Sequence, residues 1–461
     1  MKPNLEGFFM KQTQKQSFFA SVCSLAIPVA LQSMLQSSFS IVDQIMIGQL
    51  GSVSVAGVGL AGKFSSIYSV LVSAVGAVAG IMISQYMGQD NKKEVGKSFY
   101  LNLVLALGLS IAFTLLCLLF PSRIMGLYTE DKATLAATAS YLRIIAGTFL
   151  PMAGATLLST MFRCMEKAHL PLYASIASAV LNTVLNYIFI FGKCGLTPMG
   201  ADGAAIATLL SQFANFLIMF VMIWGHNDYL KNPTENKGSL FSINWGQYIE
   251  MLYPILICEL LWSLGENVYA IIYGRLGTES TAAMTLINPI QGLMIGALCG
   301  LSQAASVIIG KKLGNKEYED AYKASWKLIL YGFVGSVLLS IVILLTKAYY
   351  VEIYQVESSV KMLTRQILTA YAIVAPFKVL NMIVGGGIIR SGGKTKYVMY
   401  IDIIGTWGFG VPLGLISAFV LKLSIPYVYF ILSLEECIRF LISLVVLRQK
   451  KWMQSLETSE N

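Results

Sequence analysis

Long apolar stretches separated by short polar segments fill nearly the whole chain. Each is close to or above the roughly 20 residues that an α-helix needs to cross a bilayer. The stretches are continuous rather than alternating, so they predict helices and not the strands of a membrane barrel. Twelve spans are predicted, at residues 17–47, 54–86, 97–120, 134–162, 170–191, 203–225, 247–273, 281–310, 322–346, 361–389, 396–420 and 425–447.

The Lys and Arg residues of the predicted loops are distributed unevenly between the two faces of the membrane. If the N-terminus is inside, the inner loops, such as 88–97 and 310–323, carry most of them, and the outer loops carry few. Cytoplasmic loops are enriched in Lys and Arg. The pattern therefore predicts that both termini are cytoplasmic.

The two halves of the chain repeat each other at an offset of 226 residues. The offset aligns Pro28 with Pro254, Gly48 with Gly274, Gly51 with Gly277 and Gly88 with Gly314, and after small gaps Arg163 with Arg390. Six spans per half give both halves the same orientation, which predicts a pseudo-two-fold axis along the membrane normal. The predicted fold is an all-α polytopic membrane protein with two six-helix lobes. The lobes are 1–225 and 247–461, joined by a cytoplasmic linker at 226–246.

Composition agrees with this class and excludes others. Of the 461 residues, 56% are hydrophobic and 12% are charged, whereas soluble domains carry about 25% charged residues. The formal charge of +9 comes without a basic patch interleaved with aromatics, so no nucleic-acid partner is expected. "GVGLAGKF" (57–64) lacks the Ser or Thr that follows Lys in a phosphate loop. We expect neither an enzyme nor a bound cofactor, and we expect the lipid bilayer as a partner.

An aspartate interrupts the first span in "SFSIVDQIMIGQLGS" (38–52). A carboxylate inside a membrane span is costly and by default marks a functional site. The alternative is that Asp43 merely reaches water near the end of the span. Asn182 and Asn186, four residues apart in the fifth span, share one helix face. Asp43 therefore predicts a site for a cation or a proton.

Several segments resemble the multidrug and toxic compound extrusion (MATE) transporters. They are "IPVALQSMLQSSFSIVDQIMIGQLGSVSVAGVGLAG", "LNTVLNYIFIFG", "GADGAAIAT" and "YGRLGTESTAAMTLINPI". The first-span aspartate resembles that of the prokaryotic branch containing the DNA-damage-inducible F proteins. The resemblance implies a twelve-helix antiporter of a prokaryotic cytoplasmic membrane, working as a monomer. It would exchange small cationic or amphipathic drugs for H⁺ or Na⁺.

The resemblance also implies an ion site in the first lobe, made by Asp43, Asn182, Asn186 and Thr208. Some relatives carry an aspartate where this chain has Asn186, so the chain has one formal charge fewer there. Carboxylate, amide and hydroxyl oxygens at Asp43, Asn182 and Asn186 can hold Na⁺. A lone, partly desolvated carboxylate can instead carry a proton. The coupling ion is left open between the two.

The second lobe carries acids at other positions, because Asp43 aligns with Tyr269. Glu259 and Glu266 lie two helical turns apart in the seventh span, on a predicted common face. With Asp402 they are expected to line a cavity of the second lobe. For Glu435 and Glu436 two alternatives remain: lining such a cavity, or forming an intrahelical ion pair with Arg439.

Soft and aromatic side chains are expected to complete a substrate pocket between the lobes. The candidates are Phe39, Tyr68, Met152, Trp262, Met284 and Met294. Pro28 and Pro254 are expected to act as hinges in the first and seventh spans. Core or lipid-facing positions are the alternative for each pocket candidate.

Secondary active export of organic cations and xenobiotics by alternating access is the function that these patterns favour. A flippase for lipid-linked substrates, from the same superfamily, is the alternative. A flippase would be expected to have a basic central cavity, whereas the charges inside the predicted spans are mainly acidic.

Overall fold

The computed structural model describes residues 17–224, 244–354 and 356–456. The described part of the N-terminal lobe contains six long helices. They are α1 (Phe18–Gly48), α2 (Ser52–Gly88), α3 (Lys92–Leu119), α4 (Lys132–Cys164), α5 (His169–Phe191) and α6 (Gly200–Trp224). A short helix, Pro121–Met125, joins α3 to α4, and one 3₁₀ turn, Ala146–Thr148, interrupts α4.

The C-terminal lobe repeats this arrangement. Its helices are α7 (Trp245–Arg275), α8 (Thr278–Gly314), α9 (Tyr318–Glu352), α10 (Ser358–Ile389), α11 (Lys396–Val420) and α12, made of Ile425–Ser433 and Glu435–Gln449. Eleven of the twelve helices are long and apolar enough to cross a membrane, and α12 falls short because a turn at Leu434 divides it. The predicted fold class is confirmed. The predicted linker lies outside the described residues as far as residue 243, and α7 begins at Trp245.

The repeat is visible in the turns that precede α2 and α8. Gly51 and Gly277 stand immediately before these helices, with φ of 90° and 112°. Only glycine adopts such angles without strain. The equivalent glycines therefore fix the same tight reversal in both lobes.

The C-terminal lobe differs from the first in having π-helical segments. They cover Met382–Ile389 in α10, and Ile403–Gly410 and Ile416–Val420 in α11. Such segments shift the side chains that follow them around the helix axis and are frequent at functional sites. The first two lie beside Arg390 and Asp402, two charged residues that face cavities of this lobe.

The lobes meet along α1 and α8, and along α2 with α7 and α8. We call the side on which α1 begins and α12 ends the terminal face. There α2 crosses α8 with Gly88 against the backbone of Lys311, and with Gly314 against the backbone of Gln85. Lys311 also forms an ion pair with Glu166 of the other lobe. The lobes are therefore closed together at the terminal face.

Residues 451–456, the C-terminal strap, cover this closed face. Trp452 is fully buried, and the backbone N–H of Leu456 donates to Gln85 Oε1 at 2.7 Å. Gln85 Nε2 donates to the Ser391 carbonyl at 2.7 Å, and Gln89 Nε2 donates to Ser455 Oγ at 3.1 Å. Gln85 belongs to α2 and Gln89 directly follows it, so the strap of one lobe is bonded to the other lobe.

Candidate functional site

The N-terminal lobe brings the predicted ion-site residues together. Asn186 Nδ2 donates to Asp43 Oδ1 at 2.7 Å and to Asn182 Oδ1 at 3.1 Å. Asn182 Nδ2 lies 3.5 Å from Thr208 Oγ1, whose hydroxyl donates to the Ala204 carbonyl. Helices α1, α5 and α6 each contribute to the cluster, and the i, i+4 spacing on α5 aligns the two amides.

The polar side chains of this cluster are largely buried. Asn186 is 1% exposed and Asn182 is 9% exposed, while Asp43 is half-buried. Asn186 Oδ1 is buried without a hydrogen-bond partner among the described residues. An unpaired buried polar atom costs about 1–3 kcal/mol, so this oxygen is available for a ligand beside the carboxylate.

The orientation of the Asn182 amide decides which ligand the cluster favours. Its atom facing α1 lies 3.0 Å from Asp43 Oδ1 and 3.2 Å from Oδ2. If that atom is nitrogen, both asparagines donate to an ionised carboxylate. If it is oxygen, it accepts from Asn186 Nδ2 and lies beside both carboxylate oxygens of Asp43, an arrangement that a proton or a cation would stabilise. A turn of the Asn182 amide thus exchanges a hydrogen-bond donor for an oxygen beside Asp43.

In the C-terminal lobe, the position equivalent to Asp43 is occupied by Tyr269. Its hydroxyl donates to Glu435 Oε2 at 2.7 Å, so the acid reaches this place from α12. Gly410 makes the contact possible, because a Cβ there would overlap both partners. Glu435 and Glu436 are each 6% exposed. Asn381 Nδ2 donates to Glu436 Oε2 at 2.8 Å, and the amide oxygen of Asn381 has no hydrogen-bond partner in the described part of the chain.

Arg439 neutralises part of this acidic cluster. It forms an ion pair with Asp402, and its Nη1 lies 3.5 Å from Glu436 Oε2. Gly405 in the π-helical segment of α11 leaves room for the arginine stem. The structure thus supports the intrahelical ion pair for Glu436, while Glu435 is bonded to Tyr269. Asp402 is held by a cation of the protein itself.

A central cavity of about 550 Å³ lies between the lobes. Its wall includes Met152, one carboxylate at Glu259 and two guanidinium groups, at Arg163 and Arg390. Glu259 and Arg390 also line a second cavity of about 410 Å³, which extends into the C-terminal lobe past Trp262 and Asp402. A third, of about 310 Å³, is lined by Glu266 and Met284 together with Glu435.

Two of the predicted pocket residues lie in the core instead. Tyr68 is fully buried, stacks on Phe149 and donates its hydroxyl to the Phe149 carbonyl at 2.6 Å. Met294 is 3% exposed in the C-terminal lobe. Phe39 is partly buried and is not among the residues lining these three cavities. Glu259 and Glu266 also line different cavities, because the two turns between them carry Glu266 toward the opposite face of the membrane.

The sequence interpretation missed residues that lie at the centre of these cavities. The predicted spans end at residues 162 and 389 and so leave out Arg163 and Arg390, but Arg163 lies in α4 and Arg390 directly follows the π-helical segment of α10. Their equivalence in the repeat was a usable signal. Asn381 gave no signal, because a single asparagine in an apolar helix has many possible roles.

The MatE family model matches residues 28–188 and again residues 254–416, one match in each lobe. Multidrug and toxin extrusion protein 1 of Homo sapiens is 25% identical, covering 95% of this chain and 76% of the human protein. The probable multidrug resistance protein NorM of Thermotoga maritima is 23% identical, covering 98% and 97%.

Solved structures give the same fold. A mutant of the Vibrio cholerae MATE transporter VcmN superposes with a TM-score of 0.86 at 18% identity, covering 96% of this chain and 100% of that chain. An outward-facing multidrug resistance MATE family transporter gives 0.83 at 18% identity, covering 96% and 99%. The family match in both lobes, with the two-lobed fold, shows that this chain belongs to the MATE family.

Proposed function

We propose that this protein is a secondary active multidrug antiporter, which exports organic cations and other xenobiotics in exchange for H⁺ or Na⁺. The observation that carries the proposal is the Asp43 cluster. It has a half-buried carboxylate without a cationic partner among the described residues, held by amide groups, beside a buried and unpaired amide oxygen. Relatives of this chain include proteins named for multidrug resistance and for multidrug and toxin extrusion.

Binding of one cation at Asp43 would neutralise the only formal charge of the cluster. Desolvation penalises the ionised carboxylate, so the neutralised site packs more favourably against α5. Pro28 interrupts the backbone hydrogen bonding of α1 and is the proposed hinge that lets α1 respond. Pro254 stands at the equivalent place in α7.

We place the protein in a prokaryotic cytoplasmic membrane, as a monomer with the terminal face toward the cytoplasm. The loop charges support that orientation. The closed terminal face then corresponds to a cavity reached from outside the cell. The first-span aspartate supports the branch of the DNA-damage-inducible F proteins. The flippase alternative is not favoured, because the relatives are named as multidrug extrusion and resistance proteins.

The test is ethidium efflux from vesicles containing the reconstituted protein, with either a Na⁺ gradient or a pH gradient imposed. We expect one gradient to drive efflux and Asp43→Asn to lower it at least tenfold, because the amide cannot bind the ion. Asp320→Asn, an exposed residue at the start of α9, is the matched control and should behave as wild type. Efflux driven by Na⁺ alone identifies a metal-ion site, and efflux driven by pH alone identifies a proton carrier. Full efflux by Asp43→Asn would remove the cluster from the mechanism.

A further inference from the structure

Two equivalent arginines, one from each lobe, line the central cavity. Arg163 lies in the last turn of α4, and Arg390 follows the π-helical segment of α10. The internal repeat aligns them, and the 550 Å³ cavity brings them to one wall. Each is half-buried, so the guanidinium groups are turned to the cavity rather than to bulk water.

Neither guanidinium has a carboxylate partner within 4.0 Å in the ranges 17–224, 244–354 and 356–456. Arg163 Nη2 donates to the neutral Thr160 Oγ1 at 3.0 Å, and Arg390 Nε is buried with no hydrogen-bond partner among the residues that the structure describes. Arg439, by contrast, is paired with carboxylates. Guanidinium groups stay protonated in proteins, and a partly buried charge without a partner is costly. The cost is recovered when a ligand supplies the anion.

The rest of the wall suits an amphipathic ligand. Gln36, Gln212 and Gln303 offer neutral amides, and Asn215 has a buried amide oxygen that no described residue hydrogen-bonds. Met152 offers a soft apolar surface, and Glu259 supplies one carboxylate for a cationic group. The wall thus carries two cationic groups and one anionic group. A cavity that binds only organic cations would be expected to carry mainly anionic groups.

We infer that Arg163 and Arg390 form a subsite for the acidic group, such as a carboxylate, of an amphipathic substrate. The inference rests on the proposed export function and defines a substrate class for it. Planar guanidinium groups bind carboxylates with two parallel hydrogen bonds. The subsite takes contributions from both lobes, so a bound acid would bridge them.

A matched pair of dyes tests the subsite. Rhodamine B carries a cationic xanthene and a free carboxylate, and its ethyl ester carries the cation alone. Dye anisotropy with the purified full chain in neutral detergent gives both affinities. We expect Arg163→Gln and Arg390→Gln each to weaken rhodamine B binding by about tenfold or more. Binding of the ester should be unchanged or tighter, because a repelling charge has gone.

Controls separate this role from a structural one. Arg275→Gln removes an exposed arginine outside the cavity and should leave both dyes unaffected. Arg163→Lys keeps the charge but loses the planar pair of donors, so its affinity for rhodamine B should lie between those of wild type and Arg163→Gln, which gives a second measurement if the glutamine variant folds poorly.

An equal loss for both dyes, or no loss for either, would overturn the subsite. Displacement of rhodamine B by added phosphatidylglycerol would also overturn it, in favour of a lipid phosphate. If wild type binds the ester, and neither arginine variant changes the affinity for either dye, the subsite is refuted but the export function still stands. Failure of wild type to bind either dye refutes both.

Discussion

Adding a methyl group at Gly88 should open the terminal face. Gly88 and Gly314 are equivalent in the repeat, and each packs against the backbone of the other helix. A Cβ at Gly88 would lie 2.8 Å from the Lys311 carbonyl carbon and 2.9 Å from its Cα. Non-bonded carbons are comfortable at about 3.5–4.0 Å. The neighbouring atoms are backbone, so no side-chain rotation relieves the overlap and the helices must separate.

The size of the effect follows from this geometry. Overpacking of a close contact costs about 1–3 kcal/mol. Under the proposed alternating access, the cost applies only to the state in which the terminal face is closed, since the crossing would be broken when the lobes part. About 2 kcal/mol shifts a two-state equilibrium roughly 30-fold. A population that is mainly closed should therefore become mixed or mainly open in Gly88→Ala.

Spin-label distances measure the shift. Labels at His169→Cys and Asn315→Cys place one probe on each lobe near the terminal face, in a background without the seven native cysteines. Wild type should show a short distance, and Gly88→Ala a larger share of long distances. Gly108→Ala in α3 is the control, because a Cβ there meets nothing within 4 Å. Identical distributions for all three proteins would refute the crossing as the element that closes this face.

Three further variants test separate elements. Asn186→Leu removes the amide that bonds Asp43 and should lower ion-driven efflux at least tenfold with unchanged expression; wild-type efflux would contradict that. Arg439→Gln leaves carboxylates buried without their cation, so thermal unfolding in detergent should show a loss of about 3–5 kcal/mol. Adding Asp402→Asn should recover part of it, and an additive further loss would argue against the pair. Gln85→Ala removes two of the strap's hydrogen bonds to the other lobe, and strap proteolysis should accelerate; an unchanged cleavage rate would show that these two bonds do not hold the strap in place.

The fold was predictable because membrane helices are specified by continuous apolar length, and the repeat fixed the two lobes. Two details were not. The turn at Leu434 lies inside the predicted span 425–447, where no neighbouring Gly or Pro marks a break in the helix. The π-helical segment at Met382–Ile389 depends on how α10 packs against α8, where Gly387 meets the backbone of Ser302. Contacts of that kind are set by tertiary structure.

The candidate site was predictable where its residues follow a local rule. Asn182 and Asn186 share a helix face by spacing alone, and Asp43 stands out as a charge in an apolar run. The C-terminal site depends on pairings distant in sequence, such as Tyr269 with Glu435, that no periodicity reveals. Tyr68 was wrongly assigned to the pocket because an aromatic residue on a buried helix face has the same pattern in a core and in a cavity.

The two lobes hold their buried carboxylates differently, and this favours the N-terminal lobe for ion coupling. Among the described residues, the hydrogen-bond donors to Asp43 are neutral amides, so a bound H⁺ or Na⁺ would gain its full attraction to the carboxylate. Asp402 already has the guanidinium of Arg439, and a second cation there would be repelled by the first. We therefore expect Asp402→Asn to lower thermal stability while efflux keeps its ion dependence, whereas Asp43→Asn loses that dependence with stability kept. The opposite outcome in the same vesicles would move the coupling site to the C-terminal lobe.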